Sequence, residues 1–286
     1  MRTRCSTIAI VMSTSPQHHP TAKYGRFYTF KAGFFAVVVL AVLQAISPAR
    51  SSEADHLFYS EHPPGAANVL DRPIAVGHDT GFPSSDGRPI LFGMSVELVV
   101  RGDVVNKWNH ARTEIARELQ MVDRCRKDNV CSASARKLIR LSAEGAGRNG
   151  RARLGLINRA VNLAISPTSD ETQWQVPDRW SSALETLQSE RGDCEDYAIV
   201  KYLALLDSGI SDADLKIVVI RNLFPNEDHA VVAARVDAEW LILDNRTLTL
   251  VRDTNLARTM PMFVLDQVGV WRFVSGAPHR TRGWAS

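Results

Sequence analysis

The stretch that most constrains the fold is a glycine and an aspartate that lead directly into an apolar run in the final third of the chain. The run extends from Ala198 to Leu206, which is long enough for a helix, and Asp193 is a good N-cap for that helix. Cys194 would then lie in the first helical turn. Because unpaired backbone N–H groups and the helix dipole stabilise an anion there, a thiol at this position tends to ionise.

Two residues downstream of this helix, His229 and Asp244, lie on segments that we interpret as strands. The β-branched run at 215–221 predicts a central strand, and a loop at 222–228 leads to a second, alternating strand at 229–236. A hairpin turn then returns the chain antiparallel and brings Asp244 within a few residues of being opposite His229. A register slip of one residue would reverse the facing, so this pairing stays a prediction.

Together, Cys194, His229 and Asp244 are the parts of an activated thiolate nucleophile. In this interpretation the thiolate attacks a carbonyl, and His229 takes the thiol proton and later gives it to the leaving amine. Asp244 holds the imidazole tautomer and stabilises its cation. We expect the three side chains to converge at a solvent-open cleft. The alternative is a structural cysteine, a strand histidine and a turn aspartate that never meet.

Most of the elements before this site are predicted to be helices, because apolar residues recur there at helical spacing. The predicted elements are amphipathic helices at 103–125, 133–141 and 154–164, a loop at 168–177, and a short helix at 179–188 with Asp178 as its N-cap. Residues 256–275 predict one or two further strands. The fold class is therefore α+β, with N-terminal helices packed on an antiparallel sheet.

A second apolar run, near the N-terminus, indicates export. Lys31 precedes the run at 32–46, and Ser47-Pro48-Ala49 follows it with a small-x-small end. The run is short for a membrane span, which needs about 20 residues, so we expect a secretory signal peptide; an uncleaved anchor is the alternative. The predicted domains are the signal peptide, an extended arm rich in Pro, Gly, Ser and Asp, and a catalytic domain, at 1–49, 50–92 and 93–286.

The four cysteines fit an exported protein. Cys5 precedes the apolar run and would be lost with it. Cys125 and Cys131 are close enough to form a small-loop disulfide in an oxidising compartment. Cys194 is then the odd one out, and an unpaired thiol in an exported protein is a candidate for reactivity. The formal net charge of +3 is too small to argue for nucleic acid as a partner.

The order of these residues resembles the transglutaminase-like cysteine proteases. It is more closely similar to the bacterial transglutaminase-like cysteine proteinases, which include the LapG-type periplasmic proteases. The resemblance covers roughly residues 100–275. The most specific segments are Gly192-Asp193-Cys194-Glu195-Asp196-Tyr197-Ala198, His229-Ala230-Val231 and Leu243-Asp244-Asn245-Arg246.

This resemblance implies a papain-like α+β fold, catalysis by Cys194, His229 and Asp244, and a periplasmic location that agrees with the signal peptide. Proteases of the LapG type cut large cell-surface adhesins near their N-terminus, at a pair of alanines, and so release biofilm. They need calcium, and an inner-membrane receptor of a cyclic dinucleotide can sequester them. The family's calcium ligands fall on Asp193 and Glu195.

Local charge gives calcium a physical role. Asp193, Glu195 and Asp196 surround the predicted thiolate with negative charge, which opposes its formation. A bound cation would cancel that field, and hard oxygen ligands suit Ca²⁺. The alternative is that these acids cap the helix and complement its dipole.

Three functions are compatible with the sequence. The first is a periplasmic cysteine endopeptidase. The second is a transglutaminase or amidase, in which the same thioester passes to an amine, because the fate of an acyl-enzyme depends on whether water or an amine reaches it. The third is a non-enzymatic exported binding module in which Cys194 is structural.

Overall fold

The elements of the fold form in residues 91–274, which are the residues that the computed structural model describes. The helices are α1 (Asp103–Asp128), α2 (Ala133–Ala143), α3 (Gly150–Ala164), α4 (Asp170–Trp174), α5 (Ala183–Ser189) and α6 (Cys194–Asp207). The strands are β1 (Val96–Val99), β2 (Ser166–Pro167), β3 (Arg191–Gly192), β4 (Leu215–Leu223), β5 (Asn226–Val236), β6 (Glu239–Leu243), β7 (Val251–Arg252), β8 (Thr259–Leu265) and β9 (Val270–Phe273). The predicted signal peptide and nearly all of the predicted arm lie outside the described residues.

Seven strands form one antiparallel sheet in the order β1-β9-β8-β4-β5-β6-β7. Side chains alternate across β5, so Ala230, Val232 and Ala234 pack with the helices, whereas Val231 and Ala233 belong to a second apolar cluster on the other face. The predicted α+β arrangement, with helices packed on an antiparallel sheet, is therefore confirmed. None of the helices formed by residues 91–274 is long and apolar enough to cross a membrane.

Helix α6 is the central element, since every residue from Cys194 to Leu205 is buried. It packs against β5, α3 and α5. Each fully buried leucine on such a helix contributes about 1.5–3 kcal/mol. The predicted ends are confirmed, because Asp193 is the N-cap and Gly209, with φ 91°, follows the C-terminal turn. The helix that carries Cys194 is thus fixed by packing on all sides.

A two-residue turn sets the register of the strands that carry His229 and Asp244. Asp237 and Ala238 both have positive φ, 51° and 62°, which is the geometry that matches the twist of a tight hairpin. The resulting pairing places Val232 opposite Leu243. Asp244 therefore follows the last residue of β6 directly.

Several local predictions were wrong. The loop predicted at 168–177 contains α4, and the loop predicted at 222–228 is a hairpin tip between β4 and β5. Helix α5 begins at Ala183 with Ser182 as its N-cap, whereas Asp178 pairs with Lys107 of α1. An ion pair and burial outweigh the capping propensity of Asp178, since a cap contributes only about 1 kcal/mol.

The Cys125–Cys131 disulfide, which the sequence left open, is formed. It joins the last turn of α1 to the segment that enters α2. The Cα atoms of the two cysteines are 4.8 Å apart, within the usual range for a disulfide. The bond therefore fixes the connection between the first two helices of the domain.

Candidate active site

The N-terminus of α6 is held by its own acidic residues. The Asp196 carboxylate accepts hydrogen bonds from the backbone N–H groups of Asp193, at 3.3 Å, and Ser181, at 2.9 Å. A Cβ atom at Gly192 would lie 2.6 Å from an Asp196 carboxylate oxygen, so the close approach requires glycine. This arrangement fixes the position of Cys194 in the first turn of the helix.

His229 and Asp244 form a hydrogen-bonded pair. The Nε2 atom of His229 lies 2.8 Å from Oδ1 of Asp244, which also accepts the backbone N–H of Arg246 at 2.9 Å. The side-chain amide of Asn162, on α3, donates to the Asp244 carbonyl at 2.9 Å. The register that the sequence left open thus brings the imidazole and the carboxylate together, with the other ring nitrogen, Nδ1, buried and without a hydrogen-bond partner among the described residues.

The sulfur of Cys194 meets the same strand at its backbone edge. Sγ accepts a hydrogen bond from the N–H of Ala230 at 3.2 Å, and Ala230 directly follows His229. This edge of β5 is open to Cys194 because β6 ends opposite Val232. Alternation places the His229 side chain on the face opposite to α6. The sulfur and the imidazole therefore lie one residue apart along the same strand.

Two expectations about Cys194 were wrong. The site is not an open cleft, because Cys194 and His229 expose only 2% and 1% of their surface. Cys194 is also not a free thiol in the structure. The sequence argument assumed that Cys5 is removed with the leader, and Cys5 lies outside the described residues. The chemistry below therefore applies to the reduced form of Cys194.

Asp244 is held ionised by its neighbours. Burial opposes its ionisation, but the hydrogen bond and charge of His229, the N–H of Arg246 and the charge of Lys201 outweigh burial and lower the pKa of Asp244 to about 2. The carboxylate is therefore negative at all physiological pH values. It can orient the imidazole and stabilise an imidazolium ion.

A cluster of carboxylates lies beside the sulfur. Glu195 Oε2 is 3.1 Å from Sγ of Cys194. Oxygen atoms of Asp170, Asp178 and Glu195 lie within 4.8 Å of one another, and the same holds for Asp170, Asp193 and Asp196. The two predicted calcium ligands, Asp193 and Glu195, thus belong to a larger acidic cluster that contains Asp170, Asp178, Glu195, Asp193 and Asp196.

Burial and mutual repulsion make this cluster hold protons. Burial, followed by the charges of Asp193 and Asp196, raises the pKa of Glu195 well above its ordinary value. Burial and the charge of Asp193 likewise raise the pKa of Asp196, and burial raises the pKa of Asp170 to about 6. A set of buried carboxylate oxygens with so little compensating charge fits a hard divalent cation.

Sequence reasoning did not assign Asp170, Asp178 or Asp196 to a metal site. Asp170 and Asp178 come from segments that pack against α6, and only the tertiary structure brings them to it. The usable sequence signal was local, namely that Asp196 lies three residues after Asp193, the spacing of a capping box. The remaining members had no signal of spacing.

Comparisons with known proteins agree with this geometry. The family model described as bacterial transglutaminase-like cysteine proteinase matches residues 115–266, which is just over half of the chain. A comparison with curated protein sequences finds no match.

Several solved structures are similar to the chain. Legionella pneumophila LapG is 21% identical, with a TM-score of 0.44, and the match covers 55% of this chain and 87% of LapG. Its calcium-bound form has a TM-score of 0.45 at 21% identity and covers 60% and 91%. A structure described as a TGase is 15% identical, with a TM-score of 0.34, and covers 46% and 32%. At these identities the likeness concerns the fold.

Proposed function

The chain belongs to the bacterial transglutaminase-like cysteine proteinases, and on that premise we propose that it is an exported, calcium-dependent endopeptidase with Cys194 as its nucleophile. The protein is a cysteine protease of the transglutaminase-like type, so its substrate is a protein. The observation that carries the proposal is the His229–Asp244 pair, 2.8 Å apart, on the strand whose next N–H contacts the sulfur.

The reaction follows from the orientation of the imidazole. Because Nε2 of His229 faces Asp244, the other ring nitrogen, Nδ1, is the atom that takes the proton of the Cys194 thiol. The thiolate attacks the carbonyl carbon of the scissile peptide bond. His229 then gives the proton to the leaving amine, and a thioester remains on Cys194. Water attacks the thioester, releases the acid and restores the thiol.

The helix N-terminus supports the charged intermediates of this reaction. The backbone N–H of Cys194 belongs to the first turn of α6, where N–H groups have no acceptor within the helix. Such a group stabilises the developing oxyanion, and one donor of this kind accounts for about 10²–10³ in rate. The Asp244 carboxylate stabilises the imidazolium ion that forms between the two proton transfers.

The acidic cluster is the proposed calcium site. Asp193 and Glu195 hold the ion together with Asp170, Asp178 and Asp196, whose oxygens are gathered in the same two groups. Calcium supplies positive charge that offsets the carboxylates beside the sulfur and so favours the thiolate. Oxygen-only ligands and a high negative charge are the conditions that this ion prefers.

The proposed substrate is a large surface adhesin, and the proposed compartment is the periplasm. Export rests on the apolar run at 32–46 with its small-x-small end. The adhesin, and control by an inner-membrane receptor of a cyclic dinucleotide, rest on membership in the family. Release of such an adhesin would link the enzyme to biofilm control.

The fate of the thioester separates protease from acyl transferase. We expect the reduced, calcium-loaded protein to cleave an N-terminal fragment of a large surface adhesin that contains paired alanines. We expect no incorporation of a dansyl amine into that fragment or into a glutamine-rich protein. Mass spectrometry of the products measures both. A fragment in which the paired alanines are replaced is the matched control, and dansyl incorporation without cleavage would assign the protein to the acyl transferases.

A further inference from the structure

Lys201 is a buried charge that the proposed mechanism does not use. It lies near the middle of α6 and is only 1% exposed. It is two helical turns after Cys194, so both side chains are on the same side of the helix. Its Nζ lies 5.9 Å from the centre of the Tyr197 ring. No carboxylate among residues 91–274 is within ion-pairing distance of it.

A second buried lysine shows what a structural role looks like in this fold. Lys216, on β4, is 6% exposed, pairs with Asp266 at 3.5 Å and donates to the Ala213 carbonyl at 3.2 Å. Lys201 has no comparable ion pair in the described part of the chain. Burial of an ammonium group without one is costly, so packing alone does not explain a lysine at this position.

The charged group that acts on Lys201 is Asp244. Burial lowers the pKa of Lys201 from 10.5 to about 7, and the charge of Asp244 opposes that shift. The interaction is reciprocal, since the charge of Lys201 contributes to the low pKa of Asp244. The carboxylate therefore has His229 on one side, through its hydrogen bond, and the Lys201 ammonium acting on it from α6.

We propose that Lys201 is a positioning residue, whose ammonium group stabilises the Asp244 carboxylate in the orientation that holds His229 beside Cys194. The proposal rests on the proposed function, because it takes Asp244 as part of the catalytic unit. It assigns a role to the only charged side chain in the stretch from Ala198 to Leu206. Lys201 touches neither substrate nor the reacting atoms and acts through Asp244.

The test replaces Lys201 by methionine, which is of similar length and apolar. We expect Lys201→Met to lower kcat about tenfold and to change KM by less than about twofold, because the lost stabilisation belongs to the transition state. The acid limb of the kcat/KM profile should move to higher pH, since the pKa of Asp244 rises without the ammonium group. The midpoint of thermal unfolding should stay or rise, because a buried charge has been removed.

Two matched variants make the result specific. Lys201→Arg keeps the charge and should keep the wild-type acid limb. Lys216→Met removes the other buried lysine and should lower the unfolding midpoint through loss of its partner Asp266, with the acid limb unchanged. Circular dichroism of each variant gives the folded fraction to which kcat is normalised.

The outcomes distinguish this proposal from the proposed function. A folded Lys201→Met protein with wild-type kcat and acid limb would refute the positioning role, provided that Asp244→Asn, assayed beside it, is inactive. A loss of activity that only follows the loss of folded protein would also refute it. If Asp244→Asn itself keeps wild-type activity, the catalytic unit is wrong, and the role of Lys201 is wrong with it.

Discussion

Replacement of Cys194 by alanine is expected to abolish cleavage and leave the fold intact. Without the sulfur no thioester forms, and loss of a nucleophile costs at least about 10⁴-fold in kcat. The structural cost should be small, because alanine fits the same place and loses only contacts such as the hydrogen bond from Ala230, each of which contributes about 1 kcal/mol. Quantification of the cleaved fragment against time measures the loss.

The control for this variant uses the other cysteines of the domain. Replacement of both Cys125 and Cys131 by alanine removes the disulfide between α1 and the entry to α2. We expect a loss of about 2 kcal/mol in the free energy of unfolding, with full activity in the folded fraction. More than about 1% of wild-type activity in a folded Cys194→Ala protein would show that the nucleophile is another group.

Removal of calcium is expected to have the second-largest effect. In EGTA the carboxylates beside Sγ are no longer offset by a cation, and their charge opposes formation of the thiolate. We therefore expect cleavage to fall at least about 100-fold, and the midpoint of thermal unfolding to fall with it, because a ligand that binds only the folded state stabilises that state. Added calcium should restore both.

The pH dependence of stability gives this expectation a sign. In the chelated protein the pKa of Asp170 is raised to about 6 from 3.8, so the folded state binds more protons than the unfolded state between these values. The free energy of unfolding must then fall as pH rises from about 4 to about 6. With calcium bound, the carboxylates are ionised in the folded state, and stability should rise with pH over the same window. Urea unfolding at several pH values measures both slopes.

The placement of the ion is tested by a double variant. Asp193→Ala with Glu195→Ala should lose the calcium response together with activity, because both groups of clustered oxygens lose a member. The matched control is Glu97→Ala with Glu239→Ala, which removes two acids that form ion pairs with Arg272 and Arg252. Activity in the Asp193/Glu195 variant that EGTA still removes would contradict the placement.

The sequence predicts the parts of the site that depend on local chemistry. The N-cap at Asp193, the apolar helix and the hairpin that pairs His229 with Asp244 all follow from spacing and residue type within short segments. The N-terminal strand β1 and the short strand β7 were missed, because four and two residues carry too little pattern to separate a strand from a loop.

Tertiary contacts decide the rest. Asp178 has the residue type of an N-cap, yet it pairs with Lys107, a residue of α1 that no local rule connects to it. Asp170 reaches the acidic cluster because the backbone N–H of Arg179 binds its carboxylate. Burial of the Cys194 sulfur likewise depends on the docking of α6 against β5. These features follow from packing between distant segments, which residue spacing does not encode.

The central claim is that Cys194 and His229 act as one ion pair, and the pH dependence of alkylation tests it most directly. The reduced, calcium-loaded protein is treated with iodoacetamide, and mass spectrometry counts the label at Cys194. The shape of the profile is compared, because burial slows the reaction at every pH. The account predicts a rate that is already maximal near about pH 6 in the wild type, and that rises only near about pH 8.5 in His229→Gln. A single rise near about pH 8.5 in both proteins would contradict the account.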